Sequence, residues 1–311
     1  MRLWVIGAGG LFGSALVRNA TEFGWTAFTA DSIPWHDPDQ TIEAVIAGRD
    51  RFSESLRHDK PWAIAWAAGR VTTSSSQADA DLEFSVFIRA LAVIQELFES
   101  HPRGRLLLAS SAGGVYAGSD NPPFASATTP IPIGTYGQLK LDQESATRDW
   151  LPPSSALVIA HLANLYGLGQ DLSKLQGLIS RLALASITKE PITMFVPLDT
   201  LRDFIHVNDA ARSSLHWLTS STQGTHVRVI ASGRAVTLGY VIKQMKYITK
   251  AALPIAYGFH SASAAQARDL RLQPDTDADL LQHPTTPLQV GLRGVYQDLL
   301  VRHQQSRSQA H

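Results

Sequence analysis

The sequence predicts an α/β fold, a doubly wound parallel sheet followed by a smaller C-terminal α/β portion. Three observations predict it. Short apolar runs alternate with helix-forming segments through the first half of the chain, the pattern of a parallel sheet covered on both faces. The first run, Leu3 to Ile6, leads straight into a glycine-rich turn and a helix-forming segment. After Tyr166 the alternation loses its regularity, which marks where the second portion begins.

After the strand Leu3 to Ile6, Leu11 to Ala20 reads as a helix and Thr26 to Ala30 as a strand ending at Asp31. A helical segment around Thr41 to Leu56 precedes the strand Trp62 to Trp66. Asp81 to Glu99 is helix-forming and apolar around much of its circumference, more than one sheet face requires, so its far side is expected to meet a second subunit. Arg105 to Ala109 is a buried strand, Thr135 to Trp150 a helix and Ala156 to Ala160 a strand. Arg302 to His311 is polar and aperiodic, which predicts a frayed tail. Residues 1–166, with return segments near 202–231, are expected to form one domain; 167–201 and 232–311 form the other.

With 311 residues, 44% hydrophobic and 17% charged, the chain can bury a sizeable core. Lys+Arg 27 against Asp+Glu 27 leaves no net charge, which argues against nucleic acid as a partner but allows one local basic pocket. The absence of cysteine excludes disulfides, a thiolate nucleophile and cysteine metal ligands. MRLWVIGAGG lacks a small-residue cleavage site and is too short an apolar run for export or spanning, so a cytoplasmic location and no membrane partner are expected. The eleven histidines show no H-E-x-x-H spacing, and no metal is expected. Asp275, Asp277 and Asp279 alternate as in a calcium loop, but the glycine such a loop needs is missing, and an acidic helix N-terminus is expected instead. No G-x-S-x-G elbow surrounds Ser110 or Ser111, which argues against a hydrolase nucleophile.

The glycine turn runs Gly7-Ala8-Gly9-Gly10-Leu11-Phe12-Gly13. The pattern G-x-G-x-x-G fails because Phe12 occupies its third glycine position, whereas Gly7-x-x-Gly10-x-x-Gly13 is complete. Such glycines permit a tight turn, let backbone approach a pyrophosphate, and leave that anion at the positive end of a helix. Gly7, Gly10, Leu11, Phe12 and Gly13 are therefore candidate dinucleotide contacts. Asp31 closes the second strand eighteen residues after Gly13, where a carboxylate can accept from ribose hydroxyls and would repel a 2′-phosphate. No arginine stands next to it in the chain, so NAD is favoured over NADP.

A second signal is Tyr136-Gly137-Gln138-Leu139-Lys140. On a helix, positions i and i+4 share a face. A lysine beside a tyrosine favours the phenolate by its charge, which suits proton transfer near neutral pH.

Further segments carry a family likeness. They are Ser110-Ser111-Ala112-Gly113-Gly114-Val115-Tyr116, Asn164-Leu165-Tyr166-Gly167-Leu168-Gly169-Gln170, Arg202-Asp203-Phe204-Ile205-His206-Val207, and Ala231-Ser232-Gly233-Arg234 followed by Val236-Thr237-Leu238. With the glycine turn and the Tyr136/Lys140 pair, they make the chain resemble, over nearly its whole length, the extended short-chain dehydrogenase/reductase superfamily. The likeness is to its Rossmann-type nucleotide-sugar epimerases, dehydratases and reductases.

The resemblance implies that Tyr136 is the catalytic acid/base and that Lys140 activates it and holds the nicotinamide ribose. It implies cofactor contacts at Ala67, Ala68, Gly69 and Ser85, the last standing where the family commonly has asparagine. Arg202 is the implied phosphate contact and Asn164 a contact to diphosphate or sugar, with Arg268 and Arg271 as possible second cations. The family's hydroxyl position is Ala112 here, so Ser111 is the candidate catalytic hydroxyl and Ser110 the second. His161 replaces an arginine often found before the Asn164 turn.

The implied partners are NAD, a nucleoside-diphosphate sugar and a second subunit, in a homodimer built through the helices beginning near Asp81 and Thr135. The implied activity is epimerisation through a transient keto sugar. Reduction of a 4-keto-deoxysugar nucleotide is the alternative, suggested by the compact stretch between Asp31 and Trp62. Dehydration is disfavoured because Gly113-Gly114 occupy the place of an acid/base pair, and the epimerases that also reduce GDP sugars rely on a cysteine. A catalytically silent dinucleotide-binding regulator is a third reading, motivated by Ala112, Ser85 and His161 and opposed by Tyr136 and Lys140.

Overall fold

The computed structural model describes residues 1–31, 33–57, 59–101, 103–172, 177–258 and 267–309. Its centre is a six-stranded, all-parallel sheet in the order β10-β5-β4-β3-β1-β2. These strands are β1 (Arg2–Ile6), β2 (Thr26–Phe28), β3 (Trp62–Trp66), β4 (Gly104–Ser111), β5 (Ala156–Leu162) and β10 (Gly224–Ile230). Helices α1 (Leu11–Asn19), α2 (Pro38–Glu54), α3 (Gln77–Ser100), the short α4 (Ala112–Val115), α5 (Thr135–Trp150) and α7 (Val207–Ser220) belong to the same layer system.

The alternation along each strand explains the two faces. Leu3, Val5, Ala63, Ala65, Leu107 and Val158 pack with Ala15 and Leu16 of α1 and with Ala211 and Leu215 of α7. Trp4, Ile6, Trp62, Ile64, Leu106, Leu108, Leu157 and Ile159 pack on the other side with Val45 and Phe52 of α2 and with Phe87, Leu91 and Ile94 of α3. Each fully buried aliphatic side chain in these layers contributes roughly 1.5–3 kcal/mol. The chain leaves β1 outward to β2 and then returns to β3 on the opposite side, so the strand order reverses between β1 and β3. In open α/β sheets ligands bind at such a switch, beyond the C-terminal strand ends.

The remaining elements form smaller sheets. Strands β6 (Asn164–Tyr166) and β9 (Phe204–His206) pair parallel, as do β7 (Ile192–Met194) and β12 (Ile255–Tyr257). Strand β8 (Leu201–Arg202) lies between β11 (Val236–Thr237) and β13 (Asp269–Leu270). Helices α6 (Leu178–Thr188), α8 (Leu238–Thr249) and α10 (Leu288–Gln309) share an apolar cluster that includes Leu182, Val241, Met245, Leu292 and Leu299. The short α9 (Ala278–Leu281) is capped by Asp277, whose carboxylate accepts from Leu280 N–H; this is the acidic helix start expected there.

Several boundaries differ from expectation, each for a local reason. Helix α2 starts at Pro38, because Asp37 caps Asp39 and Gln40 N–H and a proline suits the first turn. Helix α3 starts at Gln77, through a capping box between Ser76 and Asp79. The C-terminal segment is not a frayed tail, since α10 runs to Gln309. Leu292, Val295 and Leu299 anchor its first turns, and propagation beyond a formed helix costs little. No helix among the described residues is long and apolar enough to cross a membrane.

Candidate active site

The glycine turn closes tightly between β1 and α1. Gly7 has φ +89°, and its carbonyl accepts from Gly10 N–H at 3.0 Å. A Cβ on Gly13 would lie 2.1 Å from Gly7 O, so the third glycine is what lets α1 sit against the turn. A Cβ on Gly9 would meet nothing within 4 Å, so this residue faces open space. Gly10 is the N-cap of α1 and provides no side-chain cap, which leaves the first helical N–H groups for a ligand. This cradle fits a dinucleotide pyrophosphate.

The turn lines a cleft of about 980 Å³. Gly7, Gly10, Leu11, Phe12, Asp31, Ala67, Ala68, Gly69, Ser111, Tyr136, Lys140, Asn164 and Arg202 all line it. Gly13 packs beneath the turn and does not line the cleft. Ser85 is exposed on α3 and also lies outside the lining. From the same helix Glu83, which sequence reasoning missed, accepts from the N–H groups of Arg70 (2.6 Å) and Val71 (2.8 Å) and so anchors the segment after β3.

The expectation that no arginine stands next to Asp31 holds along the chain but not in space. Arg51 of α2 reaches back, and its Nη2 lies 3.0 Å from Asp31 Oδ2.

Tyr136 and Lys140 occupy the first turns of α5, within the helix the spacing predicts. Lys140 is buried; its Nζ donates to Gln143 Oε1 at 2.9 Å and stands 5.8 Å from the centroid of the Tyr136 ring. Gln143 was missed as well, although its i+3 spacing from Lys140 was legible. Gly137 is the close-approach residue, since a Cβ there would lie 2.2 Å from Gly114 O. That contact brings α5 onto the α4 turn and the Tyr136 ring beside Gly114.

The two serines at the end of β4 differ in what they do. Ser110 Oγ donates to Glu144 Oε1 at 2.5 Å, so its proton is committed. Ser111 Oγ accepts from Gly114 N–H at 3.2 Å and donates to no group among the described residues, so its proton is free for a ligand. Ala112 is fully buried. Gly113 and Gly114 line the cleft without a proton-transferring group.

Arg202, at the end of β8, is buried and donates to Leu201 O at 2.8 Å. Burial pulls its guanidinium down to about 10, with Asp269 opposing. Asn164 Nδ2 donates to Asp203 O at 3.0 Å. The Asp203 carboxylate accepts from Ser232 N–H and Oγ and from Arg234 N–H, which ties the 232–234 turn to the residue that holds Asn164. Arg268 is 70% exposed and paired with Asp199, and Arg271 is paired with Asp269; neither lines the cleft. Arg181 of α6 does line it, and sequence reasoning did not single it out. Among the described residues no cluster of three or more His, Asp or Glu is placed to hold a metal ion.

Comparison with known proteins adds to this geometry. A family model described as "NAD dependent epimerase/dehydratase family" matches residues 3–233. The chain is 30% identical over 119 residues to a dTDP-L-rhamnose 4-epimerase of Burkholderia thailandensis, covering 38% of this chain and 33% of that protein. It is 28% identical over 147 residues to a dTDP-4-dehydro-6-deoxyglucose reductase of Escherichia coli, covering 46% and 45%. The matched part is thus less than half the length of each of these relatives. In fold, the chain is similar to the UDP-glucose 4-epimerase of Thermotoga maritima solved with UDP-glucose, with a TM-score of 0.79 and 20% identity over 97% of this chain and 100% of that one.

Proposed function

The chain belongs to the NAD-dependent epimerase/dehydratase family, and within it we propose an NAD-dependent epimerase of a nucleoside-diphosphate sugar. The observation that carries the reading is a single cleft whose wall holds Tyr136, Lys140 and Ser111 together with the glycine cradle and Arg202. In this reading the six-stranded sheet carries the dinucleotide, and the portion built from 167–201 and 232–311 receives the sugar nucleotide.

NAD, when bound, would supply a reversible hydride acceptor. Gly7, Gly10 and the N-terminal N–H groups of α1 would hold its pyrophosphate, Asp31 its adenosine ribose and Lys140 its nicotinamide ribose. Tyr136 OH would take the proton from the sugar hydroxyl that is oxidised and return a proton to the same oxygen when the carbonyl is reduced. Ser111 donates a hydrogen bond to the same oxygen. Arg202 and Asn164 fix the diphosphate end, so that the reacting carbon is held in place while the sugar turns over.

The test is interconversion of parent sugars by purified protein, followed by NMR over a panel of UDP- and dTDP-sugars. The expected result is interconversion without net change at 340 nm. Stoichiometric loss of NAD(P)H absorbance with a 4-keto sugar, and no interconversion, would sink the epimerase reading. That outcome would establish the second reading, a 4-keto-deoxysugar nucleotide reductase. A specific observation favours this alternative: between β2 and β3 the described residues form one helix, α2, and no further strand.

Tyr136→Phe separates either enzyme from a silent regulator, with turnover expected to fall about 10²–10⁴-fold and dinucleotide binding retained. A homodimer through α3 and α5 is part of the proposal, supported by the exposed Leu82 and Ile88 on α3. Sedimentation at micromolar concentration checks it; a monomer there would refute it.

A further inference from the structure

On the face of the sheet covered by α5, strands β4 and β5 are apolar until their last row. Leu106 and Leu108 precede Ser110, and Leu157 and Ile159 precede His161; Ser110 and His161 are register partners. Both side chains converge on Glu144, a fully buried carboxylate one helical turn beyond Lys140 and two beyond Tyr136. Ser110 Oγ donates to Glu144 Oε1 at 2.5 Å, and His161 Nε2 lies 2.9 Å from the same oxygen. His161 Nδ1 meets Tyr116 OH at 2.7 Å, and Arg148 Nη2 reaches Glu144 Oε2 at 3.0 Å from the surface.

Burial, with Glu144 and Asp275 nearby, pushes the Tyr116 phenol well above its ordinary range, so Tyr116 keeps its proton and shares a hydrogen bond with His161 Nδ1. His161 Nε2–H donates to Glu144. Burial alone would raise the Glu144 carboxyl, but His161, Ser110 and Arg148 outweigh it and hold the group below the usual carboxylate range. Ser110 and His161 both meet the Glu144 carboxylate, and among Tyr116, His161, Ser110 and Glu144 each polar group has a partner. A buried carboxylate satisfied this completely fixes the elements that surround it.

Those elements carry the proposed reaction. Ser110 is bonded in sequence to Ser111, Tyr116 closes the α4 turn, His161 lies just before the Asn164 turn, and Glu144 shares a helix with Tyr136 and Lys140. We propose that Glu144, with His161 and Tyr116 behind it, is a positioning residue that sets the distance between Tyr136 on α5 and Ser111 at the end of β4. The chain also occupies the Ser110 proton, which leaves Ser111 to address the substrate. This inference rests on the hydride-transfer reading given above.

Glu144→Gln keeps the size and removes the charge that every donor faces. Its kcat is expected to fall at least about tenfold with KM within about twofold, and adding Ser110→Ala is expected to cost nothing further, because the two act through one contact. Wild-type kcat in Glu144→Gln, or multiplicative losses in the double variant, would overturn the proposal. If Glu144→Gln does not fold, Tyr116→Phe decides at the outer end of the chain. A kcat lowered about threefold at an unchanged melting temperature supports the role, and an unchanged kcat refutes it. Should the wild-type protein turn over no nucleotide sugar, the functional reading fails, and amide exchange in Glu144→Gln still decides positioning. Faster exchange confined to 110–116 and 136–144 supports it, and an unchanged pattern refutes it.

Discussion

Arg51 and Asp31 form an ion pair of 3.0 Å, with the carboxylate 89% exposed and the guanidinium supplied by the helix that follows the second strand. The residue proposed to read the adenosine ribose therefore has a cation at its side. An exposed pair of this kind contributes little stability, about 0–1 kcal/mol, but it fixes what charge a ligand meets there.

Asp31→Ala should shift preference from NAD(H) towards NADP(H), because it removes the repulsion of a 2′-phosphate and releases Arg51. The ratio of NADPH to NADH affinity, measured by fluorescence titration, is expected to rise at least about tenfold. Adding Arg51→Ala should cancel most of that gain; a gain that survives the second substitution would remove Arg51 from the account.

The serines should separate. Ser111→Ala is expected to lower kcat about 10²-fold with cofactor affinity unchanged, since in the proposed reading it removes the donor to the reacting oxygen. Ser110→Ala should cost less, because its hydroxyl already serves Glu144. Steady-state kinetics of both variants check the order, and the reverse order would make Ser110 the catalytic hydroxyl.

Gly13→Ala should unfold or severely loosen the nucleotide end. The added carbon would stand 2.1 Å from Gly7 O and 3.0 Å from Ala8 Cα, and neither backbone atom can move without opening the turn. A loss of at least about 3 kcal/mol is expected in urea unfolding. Gly9→Ala, which has open space, is the control for fold; it should retain stability and weaken dinucleotide binding.

Stability should depend on pH through Glu144. Its folded-state carboxyl is held below its unfolded value, because His161, Ser110 and Arg148 outweigh burial. The contribution is therefore fully present above the unfolded value of about 4.3 and is lost as pH falls through the lower folded value. Melting temperatures taken from pH 7 down to 3 should fall more steeply in the wild type than in Glu144→Gln. Parallel curves would count against an ionised Glu144 in the folded protein.

Much of this molecule was legible before folding was considered. Helix α5 has the bounds the sequence predicts, and the glycine turn closes as its spacing requires. The Tyr136/Lys140 pair lines the cleft, as do Arg202 and Asn164. Ser85 and Arg268 illustrate the limit: both come from sequence likeness, yet one is exposed on α3 and the other turns outward to Asp199. Glu83 went unnoticed because its partner, the segment after β3, meets it only in the folded chain, whereas Gln143 stands i+3 from Lys140 on one helix and was open to a reading of helical spacing. The choice between Ser110 and Ser111 also needed the fold, because it turns on Glu144.

The sequence by itself determined the first half of the backbone: which runs up to Ala160 become strands, where glycine must stand in the first turn, and which side chains share a helical face. Those features depend on neighbours a few residues away. Tertiary structure alone decided the charges around the site, Arg51 beside Asp31 and His161 against Glu144. A charged side chain takes its partner from whichever element packs on it, and that choice belongs to the docking of helices on the sheet.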